Sequence, residues 1–266
     1  MTDRRPRKSL GQCFLTAPRI AEKIVALATV GPGDRVVEIG PGRGILTRVL
    51  AARAGEVLAL ELDPRWHADL QAEFANVAHV RVVLADALTY PFEEIAPPFK
   101  IVANLPYYIS TPILFRLLDL RARISLMVLM LQREVVDRLL AKPGTKAYGA
   151  LSVAVAYRAE VRKGFPVAPG SFSPRPAVES AVVVIAPRPS PPIAVRSEET
   201  LFRVIRAAFA HRRKVLANAL RDEGFDAHRV GGALEAAEIE PKRRGETLTL
   251  EEFGRLADAL CREATI

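Results

Sequence analysis

The chain of 266 residues is 50% hydrophobic and 26% charged, which is enough for one core of ordinary size and a smaller second domain. Its formal net charge of +8 favours a polyanionic partner, although a merely basic enzyme would carry the same charge. Cys13 and Cys261 lie at opposite ends and offer neither a disulfide framework nor zinc-ligand spacing, so we expect a reduced, cytoplasmic protein without a metal site. The apolar run Leu126–Leu131 is far too short to cross a bilayer, and no apolar segment follows the basic N-terminal residues as a secretory signal requires.

A glycine-rich loop follows the first strong strand pattern. Residues Arg35–Ile39 read as a strand, Gly40-Pro-Gly-Arg-Gly44 follows at once, and a helical pattern starts at Ile45. Strand, glycine loop and helix together predict the first unit of a doubly wound α/β sheet. The spacing is not that of dinucleotide binding, and with Glu38 before it the loop suits a sulfonium with an amino-acid tail better than a pyrophosphate. A tight strand-to-helix turn without a ligand would have the same pattern.

Acidic residues follow the next two predicted strands. Glu61 ends the strand that starts at Val57 and lies roughly 20 residues after the glycine loop, where an acid can accept both hydroxyls of a ribose. Asp63 is expected to cap a helix that begins at Pro64. Asp86 follows the strand Val80–Leu84 and could accept a hydrogen bond from an adenine amine, or could simply form a turn.

The fourth strand ends in Asn104-Leu-Pro-Tyr107. The amide oxygen of Asn104 and the backbone carbonyl of Leu105 can both accept from one –NH2 group, and the ring of Tyr107 can lie against a base. A capped strand end with a packed aromatic is the alternative, because short motifs have false positives.

The middle of the chain is predicted to complete the sheet. Strands are expected at Ser125–Leu131, Leu151–Tyr157 and Ser180–Ile185, with a helix at Gln132–Leu140. Two prolines in Phe172-Ser-Pro-Arg-Pro176 force an extended path, which predicts that Phe172 is presented from a stiff loop rather than buried. A structural staple is the alternative for this segment.

The C-terminal part is predicted to be a helical domain. We place domain boundaries at residues 1–187, a proline-rich linker at 188–196 and helices in 197–266. Ser197 should cap a helix from about Glu198 to Arg221, and another helix is expected at Glu251–Glu263. Arg212 falls in the apolar stripe of the first of these helices and is expected to pair with an acid.

Several basic residues are candidates for contacts with phosphates. They lie in the loop after residue 141 and on the predicted helix after residue 197, and each could equally belong to a solvated surface. These RNA-binding candidates are Lys142, Lys146, Arg203, Arg206, Lys214 and Arg221.

The motifs in combination resemble those of the rRNA adenine N6,N6-dimethyltransferase family, within the class I S-adenosylmethionine-dependent methyltransferases. The resemblance covers nearly the whole chain and is greatest to the small-subunit branch. It implies a doubly wound, Rossmann-like α/β sheet of seven strands with a small C-terminal all-helical domain. The motifs that carry it are Leu10–Leu15, Val37–Gly42, Asn104–Tyr107, Phe172–Pro176 and His211–Lys214.

The resemblance also implies the site residues. Asn104, Leu105, Tyr107 and Phe172 would hold the target adenine, with the two rings on either face of the base. Family members usually carry Asn or His at the position of Cys13, and an Asn at that of Tyr108. Residues that would bind the cofactor S-adenosyl-L-methionine are Gln12, Cys13, Leu15, Gly40, Gly42, Glu61, Asp86 and Asn104.

The implied reaction is methylation of N6 in two adjacent adenines of the 3′-terminal hairpin of small-subunit (16S) rRNA. The expected partner is the immature small ribosomal subunit, and we expect a monomer without membrane or metal. Two alternatives remain open at this point. One is a large-subunit rRNA adenine methyltransferase of the macrolide-resistance type, and the other is a non-catalytic RNA-binding assembly factor.

Overall fold

The computed structural model describes residues 12–211 and 213–261. The chain divides into two compact units and passes between them three times, after Val136, after Arg158 and after Pro189. The first unit contains a large sheet, and the second is helical.

The large sheet of the first unit has seven strands in the order β4-β3-β2-β5-β6-β9-β7. It is parallel from β4 to β6, whereas β9 runs antiparallel to both of its neighbours. The order reverses between β2 and β5, which is where a doubly wound sheet opens a ligand crevice. The strands are β2 Arg35–Ile39, β3 Glu56–Glu61, β4 Val80–Leu84, β5 Phe99–Asn104, β6 Ile124–Gln132, β7 Ala159–Val167 and β9 Ser180–Pro187.

A second, two-stranded antiparallel sheet joins β1 (Phe14–Leu15) to β8 (Phe172–Ser173). The helices of the first unit cover apolar strands that are buried along most of their length. Asp63 caps the third helix, because its side chain accepts from the backbone N–H of Arg65, as predicted. The helices are α1 Pro18–Leu27, α2 Ile45–Ala51, α3 Pro64–Glu73 and α4 Ser110–Asp119, and α5 Arg133–Leu139 contains the boundary at Val136.

Among the described residues of the second unit, five helices surround its own core. Ser197 caps its second helix by accepting from the backbone N–H of Thr200 at 3.1 Å, again as predicted. Tyr148, in the loop before the first helix, donates to the carbonyl of Leu248 at 2.8 Å. The helices are α6 Ala150–Arg158, α7 Glu198–Ala210, α8 Leu216–Asp222, α9 Ala227–Ala236 and α10 Leu250–Cys261.

The prediction of a strand at Leu151–Tyr157 is wrong, because these residues form α6. Most residues of α6 are buried, and a short, mainly apolar run is compatible with a buried strand or a buried helix. The seventh strand of the sheet is β7, which begins immediately afterwards at Ala159. Residues 137–158 belong to the helical unit, so the observed partition differs from a first domain spanning residues 1–187.

The predicted helix from Glu198 to Arg221 is also wrong in its length. α7 ends at Ala210 and α8 begins at Leu216, whose N–H donates to the carbonyl of Arg243 at 2.8 Å. The apolar stripe continues across the break, which hides it from periodicity alone. The prediction for Arg212 falls outside the described residues. In the described part of the chain, no helix combines the length and the apolar character needed to cross a membrane.

Gly55 allows the starts of β2 and β3 to lie close together. A Cβ at Gly55 would lie 2.0 Å from the carbonyl oxygen of Pro32, so the backbone would have to move. We expect Gly55→Ala to lower the free energy of unfolding by about 1–3 kcal/mol, measured by urea denaturation. Gly33→Ala is the matched control, since a Cβ there meets nothing within 4 Å. Equal stability of the two variants would contradict this packing argument.

Candidate active site

A cavity of about 340 Å³ opens at the carboxyl ends of β2, β3 and β5, within the size range of small-molecule sites. The segment before α1 forms part of its wall. Every residue predicted to bind the cofactor lines this cavity, together with Leu105 and Tyr107. The sequence motifs therefore converge on one site, as parallel strands that end at one edge of a sheet predict.

The glycine loop requires glycine at three positions. Gly40, Gly42 and Gly44 have φ values of +69°, +53° and +75°. A Cβ at Gly42 would also lie 2.7 Å from Cδ1 of Phe14. The loop can therefore turn tightly and bring its backbone against both Phe14 and a ligand.

Glu61 fixes this loop to the end of β3. Its Oε2 accepts from the N–H of Gly42 at 2.9 Å, and its Oε1 accepts from the N–H of Asp63 at 2.8 Å. The side chain is 6% exposed, and burial raises the pKa of its carboxyl group. Each carboxylate oxygen has a second lone pair, so Glu61 can still accept a ribose hydroxyl.

The carboxylate of Asp63 is bound by other side chains of the protein. It accepts from the Arg65 guanidinium at 2.6 Å and from Nε2 of Gln12 at 3.1 Å. The hydrogen bonds from Arg65 hold the pKa of Asp63 below its usual range. Because Asp63 already binds Arg65 and Gln12, the structure agrees with the prediction that Glu61, rather than Asp63, faces a ribose.

The segment before α1 is tied to the cavity at two points. Gln12 donates to Asp63, and Nδ2 of Asn104 donates to the carbonyl oxygen of Cys13 at 3.4 Å. Burial raises the pKa of the Cys13 thiol, so this side chain is neutral. The contact of Cys13 with the strand end thus uses its backbone, which any residue at this position could supply.

Glu38 is a buried acid at the cavity wall. It is 1% exposed, and its Oε2 has no hydrogen-bond partner among the described residues. Burial raises the pKa of Glu38 to about 8. The free protein therefore holds Glu38 mostly uncharged at neutral pH, with its Oε2 enclosed by the protein.

The end of β5 leaves two acceptors open. The N–H of Leu105 donates to the carbonyl of Met130 at 3.2 Å, which fixes the backbone. Among the described residues, no donor reaches Oδ1 of Asn104 or the carbonyl oxygen of Leu105. Two fixed acceptors beside each other match the two N–H bonds of a planar amine.

Tyr107 lines the cavity, and its ring is held in place by Ser180. The Tyr107 hydroxyl and Oγ of Ser180 lie 2.8 Å apart, and Ser180 is fully buried at the start of β9. Sequence reasoning missed Ser180, because its only signal is the start of an apolar run. It also missed Arg43 of the glycine loop, which lines the cavity.

The prediction that Phe172 is presented outward is wrong. Its ring is 5% exposed, packs in the core and is not among the residues that line the cavity. The reason is the pairing of β8 with β1, which places Phe172 opposite Leu15. The two prolines do stiffen the segment, but they hold it against another strand.

The six predicted RNA-binding residues all lie in the helical unit and are exposed. The partners of three of them within that unit are as follows. Lys214 pairs with Asp222 at 2.6 Å, Arg221 donates to Asn218, and the guanidinium of Arg203 lies 4.2 Å from the centre of the Phe225 ring. Their contact with phosphates stays a prediction.

The sheet order, the cavity at the switch point and the glycine loop beside Glu61 define a class I methyltransferase fold. Two solved structures share it over most of their length. A dimethyladenosine transferase from Plasmodium falciparum superposes with a TM-score of 0.79 at 26% identity, covering 91% of this chain and 95% of the other. The 23S rRNA methyltransferase ErmE gives 0.72 at 27% identity, covering 94% of this chain and 100% of the other.

The chain belongs to the ribosomal RNA adenine dimethylase family, which its residues 4–257 match. Two similar curated proteins bear the name ribosomal RNA small subunit methyltransferase A. The protein of Moorella thermoacetica is 48% identical, over 96% of this chain and 92% of its own length. That of Geobacter sulfurreducens is 44% identical, over 96% of this chain and 95% of its own length. The predicted family and the α/β fold with seven strands are thus confirmed.

The buried position of Glu38 predicts a pH dependence of stability. The ordinary pKa of a glutamate is near 4.5, so the folded protein retains a proton that the unfolded chain loses between about pH 4.5 and 8. This linkage makes the ligand-free protein less stable as pH rises through that window. Because Gln does not ionise, we expect the stability of Glu38→Gln relative to wild type to increase with pH, by up to about 1.4 kcal/mol per pH unit.

The measurement is urea denaturation of both proteins at pH 5, 6.5 and 8. Glu134→Gln, at an exposed position, is the control and should follow the wild-type pH dependence. Parallel curves for wild type and Glu38→Gln would show that Glu38 is charged in the folded protein.

Proposed function

We propose that this protein transfers methyl groups from S-adenosyl-L-methionine to N6 of two adjacent adenines in the 3′-terminal hairpin of small-subunit rRNA. The product would be N6,N6-dimethyladenosine, formed in the cytoplasm during ribosome biogenesis. Membership of the family and the names of the similar proteins support this reaction class. The observation that carries it is the pair of open acceptors at Asn104 and Leu105, beside the ring of Tyr107.

The residues of the cavity fit the proposed methyl donor. Gly40 and Gly42 line the cavity without a side chain of their own, and Glu61 presents a carboxylate that can accept from a ribose. Glu38 adds a buried carboxyl group to the same part of the wall. S-adenosyl-L-methionine, when bound, supplies a methyl group already activated by its sulfonium.

The chain's main chemical task is to prepare the adenine amine. The lone pair of this nitrogen is delocalised into the ring, which makes it a weak nucleophile. Oδ1 of Asn104 and the carbonyl oxygen of Leu105 would accept hydrogen bonds from its two N–H groups. These contacts would favour a tetrahedral nitrogen whose lone pair points at the methyl group. This contact stabilises the transition state more than the ground state, and the fixed strand end supplies alignment. No side chain needs to act as a general base, because the proton can leave to water.

The target base must leave its stack to enter the cavity. A hairpin loop lowers the cost of unstacking. Stacking on Tyr107 would return about 1–3 kcal/mol, and Ser180 holds that ring in position. A second stacking contact from Phe172 would require its buried ring to move away from the β1–β8 sheet.

The proposed partner is rRNA in the immature small ribosomal subunit. We propose that the exposed basic residues of the helical unit contribute contacts with phosphates, as a net charge of +8 favours. The reaction needs no metal or membrane, and a monomer suffices.

Likeness to ErmE supports a second candidate, methylation of large-subunit rRNA. The higher identity to the small-subunit proteins favours the first. A purely structural assembly factor fits less well, since the acceptor pair and Tyr107 are intact.

The deciding assay mixes the purified protein and radiolabelled S-adenosylmethionine with small subunits that lack these methyl groups, and with large subunits in parallel. We expect label only in small-subunit rRNA, recovered as N6,N6-dimethyladenosine. Label in large-subunit rRNA would move the protein to the second candidate. Tight RNA binding with no label in either would indicate an assembly factor.

Replacing Asn104 with Ala should separate chemistry from RNA binding. The variant loses one of the two acceptors for the amine, so we expect kcat to fall by about 10²–10³-fold. RNA affinity should change by less than about threefold, measured by filter binding. Asn76→Ala, at an exposed position after α3, is the matched control. Equal losses of turnover and RNA affinity would remove Asn104 from its proposed role.

A further inference from the structure

Arg43 is the only cationic side chain among the described residues that line the cavity. Three acids share the wall with it, Glu38, Glu61 and Asp86. The cavity thus has several groups suited to cations and hydroxyls, but one group suited to an anion.

Two aromatic rings hold the Arg43 guanidinium. Its central carbon lies 5.0 Å from the centre of the Phe14 ring and 5.6 Å from that of Trp66. These rings pack edge-to-face at 5.0 Å and are 7% and 6% exposed. Cation–π attraction to these two buried rings therefore restrains the Arg43 side chain more than the side chain of a fully exposed arginine.

The restrained guanidinium has no carboxylate partner. Among the described residues, no Asp or Glu oxygen lies within 4.0 Å of it. Arg48, five positions along the chain, differs: it makes two hydrogen bonds to Glu73, at 2.6 and 2.7 Å. The N–H groups of Arg43 remain available to a ligand, and their planar fork matches a carboxylate.

We propose that Arg43 binds the carboxylate at the methionine end of the cofactor, an inference that rests on the cofactor proposed above. S-adenosylmethionine has one anionic group, its carboxylate, and the described wall offers one cation to pair with it. Glu61 and Asp86 suit the hydroxyls and the amine of the nucleoside, so the carboxylate is the group of this ligand that matches Arg43, in the loop with Gly40 and against Phe14. An RNA phosphate is the other anion that enters this region, and the experiment distinguishes it.

The test compares two ligands that differ only in this carboxylate. Isothermal titration calorimetry would measure the binding of S-adenosylmethionine and of its decarboxylated form to wild type, Arg43→Gln and Arg43→Lys. We expect Arg43→Gln to weaken binding of S-adenosylmethionine by about 10-fold or more, because a charged hydrogen-bond pair is lost. Binding of the decarboxylated ligand should change by less than about twofold, and Arg43→Lys should lie between Gln and wild type for the full cofactor.

Arg48→Gln is the matched control, since it removes an arginine charge from the adjacent helix but not from the cavity wall. Equal weakening of both ligands in Arg43→Gln would overturn the proposal and give Arg43 a role in shaping the cavity. Unchanged binding of both, with reduced RNA affinity, would overturn it in favour of a phosphate contact. Failure of wild type to bind either ligand would instead remove the proposed cofactor, and this inference with it.

Discussion

The site depends on one carboxylate, that of Glu61. It accepts from the backbone N–H of Gly42 and from that of Asp63, so it joins the glycine loop to the end of the neighbouring strand. The N–H of Gly40 also donates to the carbonyl of Leu60 at 2.9 Å, so the backbone of the loop is joined to β3 as well. Glu61 adds the side-chain link, which positions the acid proposed to bind ribose together with the loop. One group therefore couples the shape of the site to its recognition chemistry.

Two further side chains make two contacts each and thereby hold the segment before α1. Asp63 caps α3 and also accepts from Gln12, while Asn104 supplies an open acceptor and also donates to the backbone of Cys13. In each case one side chain makes two contacts, and that of Asn104 also faces the cavity. The contact of Cys13 with Asn104 uses the carbonyl oxygen of Cys13, so it does not depend on the side chain at this position.

The sequence was sufficient to predict six of the seven strands of the large sheet and both helix caps. It also brought the predicted cofactor-binding residues to one cavity, because strand ends in a parallel sheet meet at one edge. Glu61, Asp86 and Asn104 could be placed from this rule alone. Phe172 could not, because its burial follows from pairing with β1, a contact between residues far apart in sequence. The prediction of a strand at 151–157 failed because a short, mainly apolar run has no clear period that separates a strand from a helix. The position of Arg43 at the cavity could not be predicted, because its guanidinium is held by Phe14 and Trp66, which are distant along the chain.

The path of the chain has a consequence for dissecting the molecule. α6 comes before β7 and β9 of the large sheet in sequence. Nevertheless, Tyr157 of α6 and Tyr148 just before this helix lie in the core of the helical unit. The Tyr157 ring packs edge-to-face with Phe202 of α7, and the Tyr148 hydroxyl bonds the carbonyl of Leu248. A truncation at the proline-rich linker would leave these two rings on the fragment that holds the sheet. The C-terminal helices would then expose to water the apolar surface that α6 covers. Cleavage in the proline-rich linker is therefore not expected to release a C-terminal fragment that folds by itself.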